Sequence, residues 1–180
     1  MAHDSDHVKR VVKLALYIAK KEGADLEVVR VAAELHDIER GKKNHAIESA
    51  KTAEKILRER GYDENFIAKV KHCIEAHSFS SQAMGVKPES LEAKVLSDAD
   101  KLDAMGAIGI ARAFLFAGER GLTIGDVVRH FEEKLLKLID CMYTDTAKEI
   151  AKERHEFLKE FYEKLKIELI SEQERKNEVS

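Results

Sequence analysis

The sequence predicts an all-α protein of a single domain, and three observations carry that expectation. Among 180 residues there is one proline and no tryptophan, and no run alternates Val, Ile, Thr or Tyr between turn signals as a strand would. Apolar residues recur at steps of three and four through most of the chain, the period of helices with one buried face. Asp, Ser or Asn precedes these runs and Gly comes after them, where helix caps belong. A chain this long buries a core without a disulfide or structural metal. The expected layout is one domain over 1–180, with a core of about 1–120 and helices of about 125–174 packed on it.

The first helix begins after Asp4 or Ser5, turns Val8, Val11, Val12, Ala15 and Ile18 inward, and stops at Gly23. Asp25 caps a second, which carries Leu26, Val29, Ala32, Ala33 and Leu35 and runs to near Gly41. Asn44 caps a third, with Ala46, Ile47, Ala50, Ala53, Ile56 and Leu57 inward and Gly61 as its stop. Asp63 opens a fourth, through Phe66, Ile67, Val70 and Ile74 to about His77. "SFSSQAMGVKPESLE", 78–92, reads as a rim or lid loop around the sole proline, Pro88. A fifth helix carries Leu91, Val95, Leu96 and Ala99. "GAIGIARAFLFAGERG", 106–121, is small and apolar and predicts a tightly packed central segment. Two last helices span about 125–142 and 145–174. Ile150, Phe157, Leu158, Phe161 and Leu165 form a stripe on the latter, suited equally to internal packing or to a homodimer.

Bulk properties narrow the partners. A net charge of −3 with both signs interspersed gives no footprint for a nucleic-acid polymer. No apolar run reaches the roughly 18–20 residues of a membrane span, and no signal-peptide pattern is visible. Cys73 and Cys141 lie far apart and read as thiols of a reducing compartment. The expectation is a cytoplasmic protein.

The chemistry-bearing residues are polar groups on apolar faces. His36 continues the face of Val29, Ala32 and Ala33, and Asp37 is next, at the helix end. His7 shares a face with Val11, Leu14 and Ile18. Asp100 comes after Val95, Leu96 and Ala99. Singly, each has an ordinary explanation as a satisfied core histidine or a helix-end charge. Together, two imidazoles and two carboxylates from three helices converge on an apolar interior. Buried carboxylates neutralise or find a cation, and no inward Arg or Lys stands beside both acids. A divalent ion would satisfy all four. The donor set suits Mn²⁺, Fe²⁺, Co²⁺, Ni²⁺ or Mg²⁺, whereas a structural zinc site would use cysteine.

The order His7, His36-Asp37, Asp100, with "HDSDHVKRV", "AAELHDI", "SDADKLDAMGAIGIARAF", "HFEEKLLKL" and "AKERHEFLKEF", resembles a small single-domain branch of the HD superfamily of metal-dependent phosphohydrolases. The resemblance implies a helical bundle of the HD-domain type and His7, His36, Asp37 and Asp100 as ligands of one divalent ion. Among Asp98, Asp100 and Asp103, the family pattern puts the ligand before the basic residue, and helical spacing agrees on Asp100. Asp103, one turn on, would orient a ligand or a water. His45 would contact substrate phosphate or donate a proton. His77 would contact phosphate or join His45 at a second metal, as in binuclear relatives. Lys101 stands where relatives often carry Arg, and Lys43 and Arg112 are further candidates for phosphate contact. His3, His72, His130 and His155 are expected to have no site role. The implied reaction is hydrolysis of a phosphate ester or anhydride, of a nucleotide by family analogy, with a metal-activated water. The rival readings are a di-iron oxygenase on the same scaffold and a non-catalytic nucleotide-binding module.

Overall fold

A computed structural model describes residues 5–178. The order is α1 Ser5–Glu22, α2 Leu26–Leu35, α3 His45–Glu59, α4 Glu64–Ala76, α5 Phe79–Ala83, α6 Leu91–Asp103, α7 Gly106–Glu119, α8 Ile124–Glu133, a 3₁₀ helix Leu135–Cys141, and α9 Asp145–Glu178. No strand occurs among the described residues, so the fold is all-α. His3 and Asp4 lie outside them.

Most helix starts are fixed by side chains that accept from exposed backbone N–H groups. Asp25 accepts from Glu27 and Val28, Asp63 from Phe66, and Ser90 from Ala93. Thr123 and Asp126 form a reciprocal capping box at α8. Each such cap stabilises its helix by about 1 kcal/mol. Helices α1, α2, α4 and α6 enclose a core of Val11, Ala15, Ile18, Val29, Ala32, Val70, Ile74, Leu96 and Ala99, all without solvent contact. Small residues dominate it, so these helices approach closely and their polar inward residues fall within reach of one another. Helix α3 covers α4 through Ala50, Ala53 and Leu57. A second layer forms where α8, the 3₁₀ helix and α9 bury Phe131, Leu138, Ala147, Ala151 and Leu158. Phe131 is its centre, with the Phe161 and Tyr162 rings 6.1 and 6.2 Å away.

The structure departs from the sequence expectation at five places. Helix α2 ends at Leu35 rather than near Gly41, because 36–44 is polar and has no apolar face to bury. That stretch coils in tight turns, with Arg40 N bonded to Asp37 O and Lys42 N to Glu39 O. Asn44 precedes α3 but its side chain makes no cap bond. It adopts φ 58°, ψ 41°, a left-handed conformation that Asn tolerates better than other residues with a Cβ. The loop 78–92 contains α5, begun where Ser78 Oγ accepts from Ser81 N. The 106–121 segment is not central. Helix α7 buries Gly106, Gly109, Ile110 and Ala117 but exposes Ile108 and Leu115. Its small residues serve a close backbone approach instead: a Cβ on Gly109 would lie 2.2 Å from the Ala104 carbonyl oxygen. Finally, the expected helix over 125–142 breaks at Lys134, at φ −132°, ψ −61°, and continues as the 3₁₀ helix. On α9, Leu158 is buried and Ile150 and Phe161 pack on the core, while Phe157 is half exposed. No described helix is long and apolar enough to cross a membrane.

Candidate metal centre

Helix ends deliver the site. His36 is the C-cap of α2 with Asp37 next to it, His77 is the C-cap of α4, and His45 opens α3. Early α1 supplies His7 and late α6 supplies Asp100. His7, His36 and His77 are buried, and the Asp37 side chain is only 4% exposed.

Hydrogen bonds fix which nitrogen of each ring faces the centre. The His36 Nδ1–H donates to the Ala33 carbonyl at 2.8 Å, and the His77 Nδ1–H to the Ile74 carbonyl at 2.6 Å. A carbonyl only accepts, so both Nδ1 atoms carry protons and both Nε2 atoms of the neutral rings are bare acceptors. His7 Nδ1 lies 2.8 Å from Asp103 Oδ2, which fixes the same tautomer. The Nε2 atoms of His7 and His36 then meet at 3.4 Å. Asp37 Oδ2 lies 3.5 Å from the first and 3.7 Å from the second, and Asp100 Oδ1 lies 3.5 Å from His7 Nε2. Acceptors packed this closely repel unless a proton or a cation sits among them. Burial lowers the His7 pKa, but Asp103, Asp37 and Asp100 outweigh it and the net shift is upward. Burial would likewise raise Asp37, yet His7, His36 and Arg40 hold its carboxyl well below the usual range.

Two overlapping donor sets emerge: His7, His36 and Asp100, and His36, Asp37 and His77, with ligand atoms within 4.8 Å of one another in each. His77 Nε2 is buried without a hydrogen-bond partner, and burial next to His36 pushes its pKa down to about 4. His45 Nε2 lies 3.6 Å from Asp37 Oδ1 and 3.4 Å from Arg40 Nη1. Burial, with Arg40, lowers its pKa. Bare imidazole nitrogens, two carboxylates and an orphaned buried nitrogen fit a divalent cation.

The three acids of "SDADKLDA" face three ways. Asp98 accepts from the backbone N–H groups of Tyr143 and Thr144 and the Thr144 hydroxyl, so it anchors the chain entering α9. Asp100 faces the centre. Asp103 accepts from Arg10 Nε at 2.7 Å and Arg112 Nη1 at 2.6 Å as well as facing His7. A carboxylate behind a ligating imidazole orients the ring and raises its basicity.

Next to this centre lies a cavity of about 410 Å³. It is lined by Arg40, His45, Asp100, Arg112, Asp126, His130 and Lys134 together with the apolar Phe116, Leu122, Val127, Leu135 and Leu138. Lys101 borders it, but its Nζ turns to Ser97 Oγ at 2.7 Å and to Gln82 Oε1 and the Cys141 carbonyl at 3.3 Å. Lys43 is exposed on the turn before α3 and does not line the cavity. Four residues escaped the sequence reading. Arg10 and Arg40 each stand three positions after a site residue, on the same helical face or turn, and that spacing was the available signal. His130, expected to be idle, and Lys134 line the cavity because α8 packs over it, which no local pattern announces. Of the other histidines, His72 accepts from Glu89 N and His155 does not line the cavity.

Residues 4–105 match the model of the HD domain. The chain belongs to the HD domain family. It is 42% identical over 173 residues to the uncharacterised protein YpgQ of Bacillus subtilis, spanning 93% of this chain and 84% of that one. The solved structure of YpgQ in complex with ADP is 41% identical, covers 92% of this chain and 86% of its own, and superposes with a TM-score of 0.77. A structure described as a predicted HD superfamily hydrolase, from an uncultured Thermotogales bacterium, is 33% identical over 93% of this chain and 82% of its own, with a TM-score of 0.66. HD domains bind a divalent metal, and the donor sets of this one can hold it.

Proposed function

We propose that this HD domain is a metal-dependent phosphohydrolase acting on an ester or anhydride bond of a nucleotide. One observation carries the reading: the Nε2 atoms of His7 and His36 converge with Asp37 and Asp100 beside a cavity lined by both arginines and apolar side chains. That mixed lining suits a ligand with both an anionic and an apolar part. The ADP bound by YpgQ supports a nucleotide.

His7, His36, Asp37 and Asp100 would hold the ion. When bound, it supplies a Lewis acid for a phosphoryl oxygen and lowers the pKa of a water. The chain's own residues do the rest. Asp103 keeps His7 in the ligating tautomer. Arg40 and Arg112 set positive charge beside the phosphoryl oxygens, where negative charge builds in the transition state. His45, whose pKa burial and Arg40 lower, would move a proton at Nε2 between the attacking water and the leaving oxygen. The orphaned His77 Nε2 favours a second ion shared with His36 and Asp37. These five donors, His7, His36, Asp37, His77 and Asp100, would also suit a di-iron oxygenase, which iron content and oxygen-dependent turnover would identify.

The test is a metal-supplemented screen of nucleoside mono-, di- and triphosphates with product identification, using wild type and Asp100→Ala. Phosphate or pyrophosphate release by wild type alone is the expected result. Tight nucleotide binding by the metal-loaded protein with no released product would overturn hydrolysis in favour of a binding module.

A further inference from the structure

The last turn of α6 carries both Asp100 and Asp103, and a helix end leaves its final carbonyls without partners in the helix. Two of those carbonyls each take an arginine from a different helix. Arg112 of α7 donates to the Asp103 carbonyl at 3.1 Å. Arg154 of α9 donates to the Leu102 carbonyl at 2.5 Å. Arg112 borders the cavity beside the metal centre, but Arg154 does not. It lines a separate groove of about 420 Å³ between α7 and α9, with Gly106, Ala107, Glu153, Glu156 and Phe157.

The fold builds this reach. Ala151 and Leu158, three positions before Arg154 and four after it, are fully buried and hold that side of α9 against the body. Gly106 leaves the side chain room to cross: its φ is +66°, and a Cβ there would lie 3.1 Å from Arg154 Cγ. Among the described residues the guanidinium forms no salt bridge. Burial lowers its pKa, and the Asp103 charge opposes that. A half-buried cation with no acid of its own is retained here as a cap, at the helix end whose dipole favours positive charge.

We propose that Arg154 is a positioning residue for the metal centre: by capping α6 it fixes the turn that aims Asp100 at the ion and Asp103 at His7. This rests on the proposed ligand set for its ion and on no substrate. The Leu102 carbonyl also accepts from Met105 N at 3.0 Å, so one oxygen ties the end of α6 to both α9 and the start of α7. Without the guanidinium that turn frays, and the carboxylates that meet His7 lose their fixed origin.

The experiment compares wild type, Arg154→Ala, Arg154→Lys and, as a stability control in the second layer, Phe131→Leu. Mn²⁺ affinity is measured by calorimetry, amide hydrogen exchange on the metal-free proteins by NMR, and melting temperature alongside. Arg154→Ala should weaken Mn²⁺ binding about 10-fold and speed exchange at the Ala104 and Met105 amides about 10-fold. Arg154→Lys keeps the charge without the planar fork and should recover part of both losses. Millimolar guanidinium, far below denaturing concentrations, should enter the emptied groove of Arg154→Ala and restore both. Phe131→Leu should lower the melting temperature yet leave both readouts at wild-type values. Unchanged affinity and exchange in Arg154→Ala, losses that follow melting temperature across all variants, or rescue by neither lysine nor guanidinium would overturn the inference. If wild type binds no Mn²⁺, the ligand set falls, and exchange at Ala104 and Met105 still decides whether Arg154 sets the turn.

Discussion

The described residues up to about 105 and those after them solve different problems with the same element. In the first region, helices α1, α2, α4 and α6 pack through Ala and Val, and their ends bring histidines and acids into one small volume. Nearly every polar atom there is oriented by a second one: His7 by Asp103, Asp103 by Arg10 and Arg112, His36 and His77 by their own helices' carbonyls. In the second region, α7, α8, the 3₁₀ helix and α9 pack through Phe131, Leu138 and Leu158, leave Ile108, Leu115 and Phe157 open to solvent, and supply the apolar residues that line the cavity. The contrast teaches that a reactive centre is built by preorganisation, while a binding wall needs shape and a few unspent charges.

Perturbations should divide along that line. The largest effect is expected from Asp100→Ala: turnover falls to background and metal content, read by elemental analysis, falls with it. Retained metal and activity would move the centre elsewhere. His45→Ala should keep the metal and lower kcat by about 10²- to 10⁴-fold; loss of the ion instead would place His45 among the ligands. Phe131→Ala strikes the other region and should cost about 3–5 kcal/mol in denaturant unfolding. If the metal affinity of the folded variant is unchanged, the regions are energetically separable.

Asp103→Asn should weaken metal affinity about 10- to 100-fold, because it loosens the His7 ring. His7, Arg10 and Arg112 overcome burial and hold the Asp103 carboxyl well below its ordinary value. Its contribution to stability is therefore complete above about pH 4 and fades as the pH falls further. The gap in melting temperature between wild type and Asp103→Asn, measured without metal, should close on acidification. The smallest effect is reserved for Asn44→Ala, about 1–2 kcal/mol from the left-handed backbone, with a correspondingly small shift in denaturant midpoint.

Helical periodicity made much of the first region legible. His7, His36 and Asp100 sit on faces that three- and four-residue steps define, and those faces do meet. What stayed illegible depends on how helices pack. Lys101 and Asp100 are neighbours, yet one reaches Ser97 and the other the centre. Lys134 reaches the cavity through a helix break with no glycine or proline to mark it. The apolar run of α7 looked central because small residues fill cores, whereas here they allow two backbones to touch.

That touch has a consequence for cavity width. Asp103 closes α6 and Arg112 lies in α7, and the corner between the helices has no clearance at Gly109 for even one carbon. A methyl at that point would act as a wedge, swinging α7 outward and drawing the guanidinium away from the acid it braces. The reach from one wall to the other is thus set by an atom that is missing.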